Sequence, residues 1–360
     1  MPISGFEASR PTSVRPPEQL NLRAGEVVEV RSPPEILLTL DRDGALDALP
    51  FMPEMLDACG KRFRVYKRAD KTCDTIQRNG NRRMRNTVHL AGLRCGGEAH
   101  GGCQAMCLLF WKESWLKRVA SDQVKASEIK AVGQARRGDD PGHLALRVLS
   151  ECGSIRNLER LASEPVAYRC QATELRRATE DLKPWDLSQY WRDWRSRNVR
   201  LLELGKAFAI WLYNTLQRKR RGAEYPFLEG KLSKTPVERL DLAPGELVEI
   251  KSKNEILATV DARLRNRGLS FDREMVKYCG RRYRVLRRVE SIVDEKTGVI
   301  AKLPKDCIVL EGVVCKGDLH EFCPRSIYPY WREIWLKRVE PPLDRPLREG
   351  GTAAPSATPK

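Results

Sequence analysis

Hydrophobic residues follow two different periods along this chain, and strands dominate the first part. In KRFRVYKR, Phe63 and Val65 alternate with Arg62 and Arg64, and this period of two predicts a half-buried strand. EVVEVRS, TVHLAGLRC and WLKRV are the other strands predicted in the same region. Ser32 can cap a short helix through PPEILLTLD, which has proline in its first turn. The segment is therefore predicted to be mostly strand with one short helix.

The same pattern returns after 220 positions. Residues 18–119 superimpose on 238–339 without a gap, and 37 of the 102 aligned positions are identical. CGKRFRVYKR matches CGRRYRVLRR, and WKESWLKRV matches WREIWLKRV. The chain therefore contains an internal duplication.

Short strands with glycine between them, opened in each copy by GEVVEVRS or GELVEIKS, are similar to small SH3-like barrels. GEVVEVRS in particular resembles the opening strand of KOW-type modules. The resemblance implies an α+β fold class, with two duplicated SH3-like β-barrel domains joined by a helical insert. We place the first barrel at 18–119 and the second at 237–340.

The insert, 120–236, has the period of a helix. Leu201, Leu204, Phe208 and Trp211 are spaced near 3.6 residues, and the helix that they predict ends in basic residues before a glycine. We expect this helix to pack against one or both barrels. A helix lying on a membrane surface is the alternative, and the short apolar stretch makes a membrane the unlikely partner. The polar ends, 1–17 and 341–360, are predicted to be flexible tails.

The tryptophans are expected to serve packing. Four of them recur in register and are predicted to close the barrels, namely Trp111, Trp115, Trp331 and Trp335. Three in the insert are expected to dock it onto a barrel, namely Trp185, Trp191 and Trp194.

The net charge of +17 narrows the range of partners. It favours an anionic partner, such as nucleic acid or an acidic protein surface. The chain begins without the pattern of a signal peptide and has no apolar run long enough for a membrane helix, so we expect a cytoplasmic protein. In a reducing compartment its eleven cysteines indicate metal ligands or buried thiols rather than disulfides.

Three cysteines and one histidine occupy matching positions in the two copies. If KRFRVYKR and TVHLAGLRC form a hairpin, its open end brings the first two cysteines together, and the third cysteine and the histidine need only fold back over it. Such a set is typical of structural zinc, and an iron–sulfur cluster is the alternative. The predicted ligands are Cys59, Cys95, His100 and Cys103, and Cys279, Cys315, His320 and Cys323. Cys107 is a rival fourth ligand in the first copy, and Cys59 and Cys279 could instead be core residues.

Arginines in the second strand of each copy predict a cationic stripe opposite the apolar face. Together with a first-copy loop they form a candidate nucleic-acid interface, although a solvated strand face would look the same. The candidate residues are Arg62, Arg64, Arg68, Arg82, Arg83, Arg282, Arg284 and Arg288.

The sequence has none of the local signatures of common catalysts, such as a phosphate-binding loop, G-x-S-x-G, H-E-x-x-H or a dinucleotide fingerprint. No small-molecule substrate is evident. We therefore expect a metal-stabilised binding module rather than an enzyme, with nucleic acid as its partner and RNA preferred over DNA. An accessory scaffold subunit that binds an enzyme or other protein, and an iron–sulfur redox or sensor protein, are the alternatives.

Overall fold

The computed structural model describes residues 19–77, 80–119, 140–304 and 306–339. This part of the chain is a mixed α+β structure whose strands pair in antiparallel sheets. The predicted tails at 1–17 and 341–360 lie outside the described residues, as does 120–139 of the predicted insert.

The elements are as follows. Those before residue 120 are β1 (Val27–Val30), α1 (Pro33–Leu37), β2 (Ala45–Leu46), β3 (Leu49–Pro50), β4 (Arg62–Arg68), β5 (Lys71–Cys73), β6 (Asn81–Arg83), β7 (Thr87–Arg94), β8 (Leu108–Lys112) and β9 (Leu116–Arg118). Those from 140 to 236 are α2 (Pro141–Cys152), α3 (Gln171–Glu174), β10 (Glu180–Asp181), α4 (Ser188–Arg195) and α5 (Leu201–Arg220). Those that follow are β11 (Leu247–Ile250), α6 (Lys253–Leu257), β12 (Arg265–Asn266), β13 (Leu269–Ser270), β14 (Arg282–Arg288), β15 (Ser291–Val293), β16 (Ile300–Lys302), β17 (Cys307–Leu310), β18 (Trp331–Arg332) and β19 (Leu336–Arg338).

The duplication is visible in the sheet topology. A five-stranded sheet in the order β8-β7-β4-β1-β9 has a counterpart in the order β18-β17-β14-β11-β19. Val28 pairs with Phe63 and Val248 with Tyr283, so the two registers also differ by 220 residues. The SH3-like identification and the domain boundaries stay predictions.

The repeated tryptophans lie in the two cores. Trp111, Trp115, Trp331 and Trp335 are fully buried. Phe51 meets Trp115 edge to face at 5.3 Å between ring centroids, and Phe271 meets Trp335 in the same way at 5.7 Å. The four tryptophans are therefore core residues of the two repeats, and the predicted closure of a barrel stays a prediction.

A buried carboxylate anchors the first residues of each repeat. Glu113 accepts the backbone N–H of Leu22 at 2.8 Å and an Nη of Arg68 at 2.5 Å, and it is fully buried. Glu333 makes the same bonds to Leu242 and Arg288. The ion pair thus joins the segment before β1 or β11 to the long strand β4 or β14.

The two repeats contact each other reciprocally. The amide of Cys73, at the end of β5, donates to Sγ of Cys323 at 3.1 Å, and the amide of Val293, at the end of β15, donates to Sγ of Cys103 at 3.3 Å. Since 73 corresponds to 293 and 103 to 323, the hairpin of each repeat lies against the cysteine loop of the other. This is the pattern of an isologous interface, here within one chain.

The long helix is not buried between the repeats, contrary to our expectation. No residue of α5 is buried, and Leu202, Phe208 and Leu212 are exposed. Its apolar residues lie around much of the helix rather than along one stripe, so the 3.6-residue spacing did not identify a packing face. Within the described residues, no helix is long and apolar enough to cross a membrane.

The tryptophans of the insert do not dock it either. Trp185, Trp191 and Trp194 are all exposed, which corrects our expectation. Polar residues form the inner face of α4 instead, since Gln189 and Asp193 are buried against Lys71 of β5. Because a buried ion pair holds this helix, its two tryptophan rings are turned to solvent, whereas Tyr190 lies under Lys71 and meets Phe322 edge to face.

Candidate metal centre

Glycines allow the loop after β7 to close on itself. Gly97 has φ +81°, and a Cβ there would collide with the backbone of Cys103. Gly317 in the second repeat has φ +79° and would collide with Cys323 in the same way. Only glycine combines this backbone angle with so close an approach, so both loops place their terminal cysteine beside their glycine.

This closure brings three metal-competent side chains together in the first repeat. Nδ1 of His100 lies 3.0 Å from Oε1 of Glu54, and Sγ of Cys95 lies 3.7 Å from the same oxygen. The donor atoms all lie within 4.8 Å of one another, and no other group of three such residues meets this distance in the described part of the chain. The group could hold a metal ion.

The position of His100 creates a particular electrostatic problem. Its Nε2 lies 3.2 Å from the carbonyl oxygen of Arg169, and a carbonyl can only accept, so this nitrogen carries the proton. In a neutral ring Nδ1 then has a lone pair that faces the Glu54 carboxylate. Two acceptors at 3.0 Å require a proton or a cation between them. A metal-bound histidine commonly donates its second N–H to a backbone carbonyl in this way.

Glu54 and Cys95 also carry donor atoms that a bound cation would satisfy. Oε2 of Glu54 is buried and has no hydrogen-bond partner. Burial alone would raise the pKa of Glu54, but the hydrogen bond and charge of His100 outweigh it and hold the pKa below its ordinary value. Burial and the neighbouring Glu54 raise the pKa of the Cys95 thiol, so without a cation it stays protonated at neutral pH. A protonated thiol is a poor nucleophile, whereas a bound metal ion would ionise it.

The other predicted ligands of the first repeat lie outside this group. Glu54 stands near the start of the 3₁₀-helix Pro53–Ala58 and Cys59 caps its end, about 10 Å further along at the rise of such a helix. Burial raises the pKa of Cys59 to about 12. Sγ of Cys103 faces the second repeat, where it accepts the amide of Val293. The four-ligand set that includes Cys59 and Cys103 stays a prediction.

The rival ligand Cys107 is close in sequence but not part of the group. Its carbonyl accepts the amide of Cys95 at 2.9 Å, which joins the two ends of the loop. Burial raises the pKa of its thiol to about 11, as expected for a packed cysteine.

The second repeat does not assemble the equivalent group. Glu274 accepts Nζ of Lys277 at 2.5 Å and the amide of Leu319, and His320 bonds to Asp272 at 2.8 Å instead. Lys277 and Asp272 replace Asp57 and Met52 of the first repeat. Lys277 therefore supplies a permanent cation to Glu274, whereas the partner of Glu54 is His100, which is charged only when its ring is protonated.

Among the described residues, the other predicted ligands of the second repeat form no group of the kind found in the first, and their ligand set stays a prediction. Cys279 caps the 3₁₀-helix Arg273–Tyr278, as Cys59 does, and burial raises its pKa to about 11. Cys323 faces Cys73 of the first repeat, and burial raises the pKa of Cys315 to about 12.

Most of the predicted nucleic-acid contacts have partners within the chain. The distances are 3.3 Å from Arg62 to Glu29, 2.8 Å from Arg64 to the Gly25 carbonyl, 3.2 Å from Arg282 to Glu249 and 3.0 Å from Arg284 to the Gly245 carbonyl. Arg83 pairs with Asp186, and Arg82 is buried against Thr179 and Asp181.

The stripe is also interrupted. Arg68 is buried and Arg288 is largely covered, because each pairs with a buried glutamate. The ladder of β4 and β7 shifts register between Val65 and Lys67, so strict alternation does not extend to Arg68. A β-bulge of this kind redirects side chains and is not visible in an alternating sequence pattern.

Glu54 is the site residue that the sequence analysis missed. It is identical to Glu274 in the aligned repeats, within the segments FMPEML and FDREMV, which share three of six residues. The presence of this glutamate in both repeats could have identified it as a candidate ligand, but an isolated glutamate does not belong to a recognised ligand spacing.

Comparison with known proteins does not extend this picture. No protein-family model, no curated protein and no solved structure matches the chain.

Replacing Gly97 by alanine tests the loop geometry. Gly97→Ala should lower the free energy of unfolding by about 1–2 kcal/mol or more, because of the left-handed backbone alone, and the clash with Cys103 adds to it. Gly96→Ala is the matched control, since a Cβ there meets nothing within 4 Å. Chemical denaturation measures both. Equal effects would contradict the described closure.

Proposed function

We propose that the protein is a non-catalytic binding module, with two SH3-like repeats, in which Glu54, Cys95 and His100 hold a structural zinc ion. The observation that carries the proposal is the convergence of Nδ1 of His100, Oε1 of Glu54 and Sγ of Cys95, beside a buried carboxylate oxygen without a partner. A divalent cation satisfies all three groups at once.

Zinc suits this donor set best. Thiolate sulfur, imidazole nitrogen and carboxylate oxygen are its ordinary protein ligands, at about 2.3 Å for sulfur and about 2.0–2.2 Å for the lighter atoms. An iron–sulfur cluster is held mainly by cysteines, and the group contains only one. The fourth ligand is a proposal too, and Cys103 at the end of the same loop is the nearest predicted one in sequence.

A structural role follows from what the loop contacts. Its inner side holds the donor group, and its end contacts the second repeat through Cys103 and through Gln104, whose amide donates to the Ser291 carbonyl at 3.0 Å. Metal bound to the inner side would hold the outer side in place for that contact.

The preferred partner is nucleic acid, and the net charge of +17 supports it. Arg64 and Arg284 remain exposed, although each also donates to a carbonyl. The second candidate is an accessory scaffold for another protein. The exposed apolar side chains of α5 favour it, because such surfaces commonly mark protein contacts.

Metal analysis tests the zinc proposal. The purified chain should contain about one zinc ion, and a chelator should lower its thermal midpoint, because metal binding stabilises the folded state. Glu54→Gln should weaken zinc binding by at least about tenfold while preserving side-chain size. Cys152→Ser, at an exposed thiol, is the control and should change neither quantity. A chain that binds no zinc and shows no thermal shift when zinc is added would refute the proposal.

The salt dependence of binding tests the nucleic-acid proposal. Affinity for single-stranded RNA should fall steeply, by about tenfold or more, between 50 and 200 mM salt, since phosphate contacts release counterions. Fluorescence anisotropy with a labelled oligonucleotide measures this. If neither RNA nor DNA binds at low salt, the scaffold function becomes the better account.

A further inference from the structure

Three tryptophans of the insert are exposed. The exposed fractions are 74% for Trp185, 55% for Trp191 and 38% for Trp194. Tryptophan is highly buried on average in folded proteins, because its ring removes a large apolar area from water. Three exposed rings within ten residues therefore require an explanation beyond chance. We refer to them below as the tryptophan face.

Burial of the opposite side of α4 fixes the orientation of Trp191 and Trp194, which both lie on this helix. Nζ of Lys71 lies 2.7 Å from Asp193 and 3.2 Å from Gln189, and all three residues are buried. Just beyond α4, the Asn198 side chain bonds to both the amide and the carbonyl of Arg68 at 2.8 Å. The helix is therefore anchored to the first repeat by its polar side and cannot turn its rings inward without exposing a buried ion pair.

Exposed cationic residues flank the tryptophan face along the chain. Lys183, Arg195, Arg197 and Arg200 are exposed. Nζ of Lys183 lies 5.9 Å from the centre of the Trp185 ring, within reach of a cation–π contact. The rings of Trp191 and Trp194 are 4.8 Å apart and inclined at 44°, so they do not stack in parallel on each other.

We infer that the tryptophan face is a stacking platform for the bases of a single-stranded nucleic acid, with the phosphates held by the neighbouring arginines. The inference rests on the proposed nucleic-acid function. It places the main contact with the nucleic acid at α4 and Trp185 rather than on the β4 and β14 strands. Rigid aromatic rings among cations are what sequence-tolerant binding of single strands requires.

The observations favour a nucleic acid over an anionic membrane. Membrane-surface helices insert a continuous apolar face and keep their cations on the other side. On α4 the cationic Arg195 directly follows Trp194 in the chain, and the other side of the helix is already buried on the first repeat. A single strand, in contrast, presents a base and a phosphate at every step and so matches rings and cations that are interspersed.

The experiment compares two tryptophan substitutions in the full chain. The double variant Trp191→Ala/Trp194→Ala should weaken binding of a labelled uridine oligonucleotide of about 12 nucleotides by at least about tenfold, since each lost stacking contact has an effect of this size. Its salt slope should stay unchanged, whereas Arg195→Gln/Arg197→Gln should flatten the slope. The matched control is Trp211→Ala on α5, which removes a ring with the same exposed fraction, 55%, and should leave affinity unchanged.

The outcomes separate the inference from the function on which it rests. If the natural chain binds no oligonucleotide at low salt, the proposed function fails and the inference fails with it. If it binds and the double variant binds equally well, only the inference fails. Equal losses in the double variant and in Trp211→Ala would also overturn it. Circular dichroism shows whether each variant is folded.

A membrane is tested in the same way. In a co-sedimentation assay with vesicles of phosphatidylcholine and phosphatidylserine, the tryptophan rings should not contribute to binding of the chain. If the double variant loses vesicle binding but keeps RNA binding, the tryptophan face belongs to a lipid contact and the inference is overturned.

Discussion

The structure depends on the closure of the loop between Cys95 and Cys103 over the carboxylate of Glu54. The left-handed Gly97 lets the loop fold back, and Glu54 accepts the amide of Ala99 at 3.4 Å and faces His100 from within. The end of the same loop contacts the second repeat through Cys103. One short segment therefore connects the candidate metal group to the packing of the two repeats, and a change on one side is expected to affect the other.

Duplication followed by divergence explains why the two loops differ. Both repeats keep the glutamate, the glycine, the histidine and two loop cysteines in the same register. Lys277 supplies an internal cation to Glu274 in the second repeat, while Glu54 in the first keeps an oxygen without a partner. The first site is therefore the one at which we propose that a single zinc ion binds.

Much of the fold follows from the sequence because its signals are local. Period-two alternation identifies β4 and β14, and the gapless repeat predicts that two sheets share one register, as they do. Only part of the candidate site can be predicted from the sequence in this way. Cys95 and His100 were found from their spacing, but Glu54 reaches them through a helix whose position depends on the whole repeat.

The failures have physical reasons. The pairing of β4 with β7 ends at Val65 and Leu90, so the predicted approach of Cys59 to Cys95 lies beyond the paired residues and stays a prediction. A register shift turns Arg68 inward, where Glu113 binds it. The tryptophans of the insert were expected to dock it, but the sequence does not show that the polar side of α4 would be buried by Lys71.

X-ray absorption at the zinc edge tests the central claim most directly, because it reports the atoms bound to the metal. The account predicts one zinc ion per chain, with sulfur at about 2.3 Å and nitrogen and oxygen at about 2.0–2.2 Å. In the Glu54→Gln chain loaded with zinc, the oxygen contribution should decrease. A shell of sulfur alone, or a spectrum that Glu54→Gln leaves unchanged, would contradict a site built from Glu54, Cys95 and His100.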